Sequence, residues 1–215
     1  MARLRTTSDL NDATDQDLVW RLREISDLRS AAERADTKLC DAIVRGGITL
    51  LYAHWEGHVR FVATSYLEFL ATQRLKYQDL KPAFLLGRFH RDLLRRPVTA
   101  SYAGRLAFLS QVLGAGRERF SAPDPELVST RSNLGGAVLT DICGALAIDA
   151  AQFAPDMEFI DRILRDRRND IAHGGRVSVD LPGFRTMSDK VIELMRRFNN
   201  AVQNDAALRA YRVSS

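Results

Sequence analysis

One short run combines residue types that could act together on a phosphate group: RNDIAHGG, at residues 168–175. It places Arg168 five residues before His173, and two glycines directly follow the histidine. A guanidinium is always charged, whereas an imidazole titrates near neutrality, at a pKa of about 6.5 when nothing perturbs it. Five helical steps separate the two groups by about 7.5 Å along the axis, so a phosphodiester could bridge them where the helix ends. A structural explanation stays open, because cations also stabilise the negative end of a helix dipole.

A second run, HWEGH at residues 54–58, carries two histidines four residues apart, so both rings share one helix face. Zinc can use that geometry, but the glutamate lies one position later than in the metalloprotease signature His-Glu-x-x-His. No third ligand follows at a telling spacing. We therefore expect neither a metal nor another cofactor, and we interpret His54 as a hydrogen-bonded interior histidine beside Trp55, which lies on an apolar stripe.

The basic residues near the first run are arginines. The chain has 31 Lys and Arg against 27 Asp and Glu, and the resulting net charge of +4 is too small to prove a nucleic-acid partner. The planar fork of arginine nevertheless suits bidentate contacts with phosphate. Arg165, Arg167 and Arg176 surround the run and are our candidates for binding RNA phosphates. The alternative is that they lie on ordinary solvated helix faces.

The elements that must position these residues are helices. Apolar residues recur at three- and four-residue steps, and convincing strand alternation is nearly absent. We predict two long helices early in the chain, one beginning at Thr14 and one over residues 38–73. Two amphipathic helices follow late, over residues 155–174 and 182–204, with shorter helices in between. This pattern predicts an all-α helical bundle.

Length and composition set further bounds. The chain of 215 residues suits a single domain, 1–215, of which we expect residues 1–13 to be flexible. No apolar run is long enough to cross a membrane and no secretory signal is seen, so we expect a soluble cytoplasmic protein with Cys40 and Cys143 reduced. The glycine patterns of a P-loop or a dinucleotide site are missing, as is Gly-x-Ser-x-Gly. An ATPase, a dehydrogenase and a nucleophile triad are therefore not expected.

Taken together, the two runs resemble the HEPN superfamily. Arg-Asn-x-x-x-His with a trailing glycine, on a late helix of an all-α bundle, is similar to the Arg-x4–6-His signature of that superfamily. The upstream run LLYAHWEG, residues 50–57, is similar to the YAHWEG segment of the bacterial MAE-type HEPN proteins. The resemblance covers most of the chain, and it implies a HEPN-like helical bundle with long early helices and extra shorter ones.

The resemblance implies a metal-independent RNase, of a kind often found in toxin–antitoxin or phage-defence settings. Two protomers would pair so that their motifs face one another, which makes a homodimer with a composite active site. Carried over by position, Arg168 and His173 are the catalytic pair, and Asn169 is the polar residue that follows the arginine. A ribose 2′-hydroxyl would attack the adjacent phosphorus and leave a cyclic phosphate. An antitoxin or a defence-system protein is a further expected partner.

Four residues are expected to support the motif. Tyr52, His54 and Glu56 would brace it from the neighbouring helix, with Glu56 a natural partner for an arginine. Asp170 lies inside the motif but has no family role that we can assign. The alternative function, from another class, is a non-catalytic helical module that binds RNA or a protein as a dimer. An exposed His173 favours the nuclease, and a His173 buried in its own protomer favours the module.

Overall fold

A computed structural model describes residues 4–95, 101–121 and 125–213. Within these ranges the chain is helical and contains no strand, which confirms the predicted all-α class. In chain order the α-helices are α1 (Thr7–Arg34), α2 (Thr37–Thr72), α3 (Pro82–Arg95), α4 (Tyr102–Ala115), α5 (Gly136–Ala145), α6 (Arg167–Ala172) and α7 (Leu181–Leu208). Short 3-10 segments, Tyr77–Asp79, Pro125–Val128 and Ala150–Asp156, and a π-helical stretch, Phe159–Asp166, lie between them. None of the described helices combines the length and the hydropathy that a membrane span requires.

The first helix begins at Thr7, seven residues before the predicted start at Thr14. Thr6 and Asp9 form a capping box, in which the Thr6 hydroxyl accepts a hydrogen bond from the Asp9 amide at 3.0 Å and the Asp9 carboxylate accepts one from the Thr6 amide at 2.9 Å. The helix is therefore capped by Thr6, and Thr14 lies inside it. Residues 7–13, which we expected to be flexible, are therefore helical, and Leu10 among them is fully buried.

The core lies where the three long helices α1, α2 and α7 pack on one another. Helix α2 lies within one residue of its predicted range, and its apolar stripe is buried from Val44 to Phe69. Helix α7 buries the six apolar residues predicted for it, Phe184, Met187, Val191, Leu194, Met195 and Phe198. At Gly47 a Cβ atom would lie 2.6 Å from the ring of Phe184. The glycine thus lets α2 and α7 approach closely.

The segment that carries the RNDIAHGG run is less regular than predicted. Pro155 lies inside the 3-10 segment, and the π-helical stretch then runs directly into the short helix α6. The buried carboxylate of Asp156 accepts from Lys190 at 2.6 Å and from Arg197 at 2.5 Å, so the start of this segment is fixed to α7. Each π turn contains an extra residue compared with an α turn and shifts all later side chains around the axis. The π stretch therefore determines the directions in which the side chains of Arg168 and His173 point around the helix axis.

Candidate active site

Arg168 lies on α6 with its guanidinium turned towards α2. Its Cζ atom lies 4.0 Å from the centre of the Tyr52 ring, within the range of a cation–π contact. Its Nη2 atom donates to the backbone carbonyl of Ser132 at 2.8 Å, and its Nε atom is buried without a hydrogen-bond partner. The guanidinium is thus held by the ring of Tyr52 and by the carbonyl of Ser132.

Tyr52 and Arg168 contact the same loop. The tyrosine is almost fully buried, and its hydroxyl accepts a hydrogen bond from the backbone amide of Leu134. The segment that Tyr52 and Arg168 jointly hold contains two consecutive left-handed residues, Arg131 with φ 52° and Ser132 with φ 54°. Such backbone conformations are costly for residues other than glycine and persist where the surroundings enforce them. The two side chains therefore fix the loop, and the loop in turn fixes the guanidinium.

His173 lies at the C-terminal end of α6 and is exposed. Its backbone amide donates to the carbonyl of Asn169 at 3.0 Å, while its imidazole has no hydrogen bond or ion pair within the described part of the chain. The chain then turns at Gly174, which has a φ of +82°. Arg45 of α2 donates to the carbonyl of Gly175 at 3.1 Å and ties this turn to the long helix. The motif thus combines an exposed imidazole with a partly buried, fixed guanidinium five residues earlier.

Asn169 and Asp170 act through their backbones in this arrangement. The Asn169 carbonyl accepts from His173, and the Asp170 carbonyl accepts from the amide of Gly175 at 2.7 Å. A Cβ atom at Gly175 would lie only 2.7 Å from that same Asp170 oxygen, so the turn requires glycine. The side chain of Asn169 is half-buried and that of Asp170 is exposed. The two residues therefore shape the turn that carries His173.

The three arginines predicted to bind phosphate differ in their surroundings. Arg165 is compensated internally, because its guanidinium pairs with Asp161 at 2.6 Å and with Asp166 at 2.9 Å. Arg167 packs along α7, with Nη1 3.7 Å from the sulfur of Met187. Arg176 is exposed, and no carboxylate pairs with it in the described residues. The charge of Arg165 is thus compensated by two carboxylates within the protein, and its contact with RNA stays a prediction.

His54 does not join the motif. Its Nε2 atom lies 2.8 Å from the carboxylate of Glu24 on α1, and its ring contacts Trp20 edge to face, with ring centres 5.4 Å apart. Burial, opposed by the charge of Glu24, lowers the pKa of the imidazole below its usual value. Residues 52 and 54 are about 200° apart around a helix, so a side chain that faces α1 cannot also brace α6. The supporting role predicted for His54 is thus corrected by the helix geometry.

His58 belongs to a buried polar cluster on this same side of α2. Its Nδ1 atom lies 2.7 Å from a carboxylate oxygen of Asp17, which also accepts from Nε of Arg21 at 2.8 Å. Burial alone would raise the pKa of Asp17, but hydrogen bonds from His58 and Arg21 outweigh it and lower that pKa to about 2. Gly57 makes room for this cluster, because a Cβ there would lie 2.9 Å from Nη1 of Arg21. Asp17 and Arg21 were not singled out from the sequence, although their four-residue spacing is typical of a helical ion pair.

The alternative of a zinc site at His54 and His58 finds no third ligand. Each histidine lies against one carboxylate of α1, and the described residues contain no group of three or more His, Cys, Asp or Glu that could hold a metal ion. Both cysteines are free, Cys143 buried and Cys40 half-buried.

Glu56 lies on the Tyr52 face of α2 but does not pair with Arg168 as predicted. No ion pair joins these two side chains in the described structure, and Oε1 of Glu56 is buried without a hydrogen-bond partner. Burial raises the pKa of Tyr52, and the nearby negative charge of Glu56 raises it further. The tyrosine therefore stays a neutral hydroxyl at physiological pH, and Glu56 contributes to the site through its charge.

Comparison with known proteins gives one match. A family model described as RiboL-PSP-HEPN matches residues 16–204, a segment that contains both Tyr52 and the run from Arg168 to His173. No curated protein and no solved structure matches the chain. The match supports the HEPN superfamily, and it does not confirm the MAE-type subgroup that the upstream motif resembles.

Proposed function

The chain belongs to the RiboL-PSP-HEPN family, and from this premise we propose that it is a metal-independent endoribonuclease with Arg168 and His173 at its active site. The observation that carries the proposal is the pairing of a fixed guanidinium with an exposed imidazole at the end of one helix. Arg168 is held by Tyr52 and Ser132, whereas His173 is free to meet a substrate. Fixed donors that await developing charge are the arrangement that stabilises a transition state most effectively.

In the proposed reaction a ribose 2′-hydroxyl attacks the adjacent phosphorus. The bond from phosphorus to O2′ forms while the bond to O5′ breaks, which gives a 2′,3′-cyclic phosphate and a 5′-hydroxyl. One imidazole removes the proton from the 2′-hydroxyl, and a second imidazole donates a proton to the leaving oxygen. Arg168 binds the charge that develops on the phosphorane oxygens. Asn169 and Asp170 hold the turn on which His173 lies.

The need for two imidazoles is the reason to propose a homodimer. Each protomer supplies one exposed histidine at this site, and a two-fold axis beside the motif would bring two copies of His173 to one phosphodiester. The exposed Arg176, a few residues after the motif, would add a phosphate contact outside the reaction centre.

The setting that we propose follows from this chemistry. An RNase that acts on cellular RNA needs restraint, so we infer a role as a toxin or phage-defence effector in the cytoplasm, held in check by an antitoxin or another partner protein.

One observation favours the second candidate, a non-catalytic module that binds RNA or protein as a dimer. Both described contacts of the Arg168 guanidinium are internal, as expected of a residue whose role is to hold a loop. In that case His173 would not transfer a proton, although its exposed side chain could still contact a partner.

A cleavage assay in the presence of a chelator distinguishes the two candidates. Purified protein is incubated with total RNA and excess EDTA, and the new ends are tested for 2′,3′-cyclic phosphate. We expect such ends from the wild type and none from His173→Ala. An Arg209→Ala variant, which removes an exposed arginine at the end of α7, serves as a control and should cut normally. RNA that is bound but left intact by the wild type would establish the module instead.

A further inference from the structure

A cleft of about 390 Å³ lies beside the proposed active site, between α3, the 3-10 segment Pro125–Val128 and α5. The aliphatic residues of its lining are Ala83, Leu86, Leu127, Val138, Ile142 and Ala145. Small-molecule sites commonly fall in this size range and combine an apolar lining with a few convergent polar groups. We call this feature the α3–α5 cleft.

The rim of the α3–α5 cleft carries charges of both signs. Arg131 and Asp141 are exposed and His90 is half-buried, and all three line the cleft. Within the described residues, none of these three side chains takes part in a hydrogen bond or an ion pair. A purely apolar ligand would leave the guanidinium and the carboxylate unused. The rim therefore suits a flat ligand whose edge both donates and accepts hydrogen bonds.

One backbone turn connects the α3–α5 cleft with Arg168. Arg131 lines the cleft, and the carbonyl of the next residue, Ser132, accepts the hydrogen bond from Nη2 of Arg168 at 2.8 Å. Both residues have left-handed backbones, which turn the chain sharply at this point. Consecutive Cα atoms are about 3.8 Å apart, so the backbone of Arg131 directly adjoins the residue whose carbonyl holds the guanidinium.

We propose that the α3–α5 cleft binds a guanine base of the RNA, next to the phosphate that Arg168 contacts. The inference rests on the proposed function in that RNA is the ligand. Unpaired RNA bases are commonly turned out of the strand, packed on a protein surface and read along their edges. Guanine alone presents two adjacent acceptors, O6 and N7, which match an arginine fork, and two adjacent donors, N1–H and N2–H, which match a carboxylate. Arg131 would bind the acceptors, Asp141 would bind the donors, and the aliphatic lining would cover the ring.

The direct test is nucleotide binding without cleavage. Affinities of the purified full chain for 5′-GMP, AMP, CMP and UMP are measured by calorimetry in EDTA. Because the four probes share the ribose phosphate, a difference between them reports the base. We expect GMP to bind at least about 10-fold more tightly than the other three, since a matched bidentate pair discriminates by about that factor or more. Equal affinity for all four nucleotides would overturn the inference.

Two variants test the residues, each with a matched control. Asp141→Asn removes one acceptor, and Arg131→Gly removes the fork while it suits the left-handed backbone; each should lower GMP affinity by about 10-fold. Asp27→Asn, at an exposed aspartate of α1, and Arg209→Gly, at another left-handed arginine, should leave the affinity unchanged. Unchanged GMP affinity in both cleft variants would overturn the assignment.

Cleavage mapping separates this inference from the proposed function. If the chain cuts RNA without base preference and GMP does not bind selectively, the nuclease stands and the guanine site falls. Selective GMP binding that both cleft variants abolish, without any RNA cleavage, leaves the site standing and removes the nuclease. Cuts next to guanosine that become unselective in Asp141→Asn support both.

Discussion

The guanidinium of Arg168 lies 4.0 Å from the ring centre of Tyr52, and this contact joins the two motifs that the sequence separates by more than a hundred residues. The tyrosine also accepts from the amide of Leu134, while the arginine donates to the carbonyl of Ser132. These three contacts connect the two side chains to each other and to one loop. In this arrangement Tyr52 is a positioning residue, and Arg168 is the group proposed to touch the substrate.

The first prediction distinguishes the contribution of the Tyr52 ring from that of its hydroxyl. Tyr52→Phe keeps the ring under Arg168 but leaves the Leu134 amide without its acceptor, so the free energy of unfolding should fall by about 1–3 kcal/mol. Tyr52→Leu removes the cation–π contact as well, which adds about 1 kcal/mol or more. For both variants we expect kcat to fall more than KM rises, since the effect is on the orientation of Arg168. Urea unfolding and single-turnover cleavage provide the measurements.

The matched control for this series is Tyr102→Phe, at an exposed tyrosine of α4. It should change neither stability nor kcat. Full activity in Tyr52→Leu would contradict a positioning role for Tyr52.

The second prediction concerns His173. Because the imidazole is exposed and makes no hydrogen bond or ion pair in the described structure, His173→Ala should change the free energy of unfolding by less than about 0.5 kcal/mol. Cleavage should nevertheless be lost, since the proposed reaction needs an imidazole at this position to transfer the proton. Circular dichroism, urea unfolding and the EDTA cleavage assay measure these outcomes. A strongly destabilised His173→Ala would show a structural role and argue against the nuclease.

The third prediction concerns two arginines that flank the run, one on each side. Arg176 is exposed and uncompensated, so Arg176→Ala should weaken RNA binding for all sequences and reduce the slope of log affinity against log salt by about 0.7. Arg165 is paired with Asp161 and Asp166, so Arg165→Ala should leave that slope nearly unchanged and lower stability instead. Filter binding of a catalytically inactive His173→Ala background at several salt concentrations gives both slopes. An equal decrease of the salt slope in Arg176→Ala and Arg165→Ala would contradict the different roles of these two arginines.

The fourth prediction follows from the cluster between α1 and α2. The pKa of Asp17 falls from 3.8 to about 2 in the fold, so its carboxylate stabilises the protein above about pH 4 and loses that effect as the pH falls towards 2. A shift of this size corresponds to about 2 kcal/mol. Asp17→Asn should therefore be destabilised by at least that amount at pH 7, and its difference from the wild type should shrink below pH 4. Asp12→Asn, at an exposed position of α1, should show no such pH dependence in urea unfolding.

Much of the scaffold could be predicted from the sequence, and the reasons are local. Helices α2 and α7 follow from three- and four-residue apolar steps, and the end of α6 follows from the glycines behind His173. The capping box of Thr6 was also present in the sequence, and it would have given the correct start of α1.

The contacts of the site could not be predicted in this way. The π-helical stretch changes the face on which Arg168 lies, and it has no compositional signature. The left-handed pair Arg131 and Ser132 has no glycine to mark it, so the loop that meets Tyr52 was not anticipated. For His54 the information was present, because counting helical steps from Tyr52 places it on the opposite face of α2.

The last prediction uses two glycines of α2 that the sequence alone does not distinguish. At Gly57 a Cβ atom would lie 2.9 Å from Nη1 and 3.1 Å from Nη2 of Arg21, a guanidinium already fixed by Asp17 and by the ring of Trp20. Gly57→Ala must therefore shift this guanidinium against its contacts, and we expect this cost to exceed the helix-propensity gain of about 0.5–1 kcal/mol, which gives a net loss in the free energy of unfolding. At Gly46 no atom lies within 4 Å of the added carbon, so Gly46→Ala should gain about 0.5–1 kcal/mol from helix propensity. If Gly57 is needed to make room for Arg21, urea unfolding should show opposite signs for the changes in the free energy of unfolding of the two variants. Equal gains in stability would contradict this role.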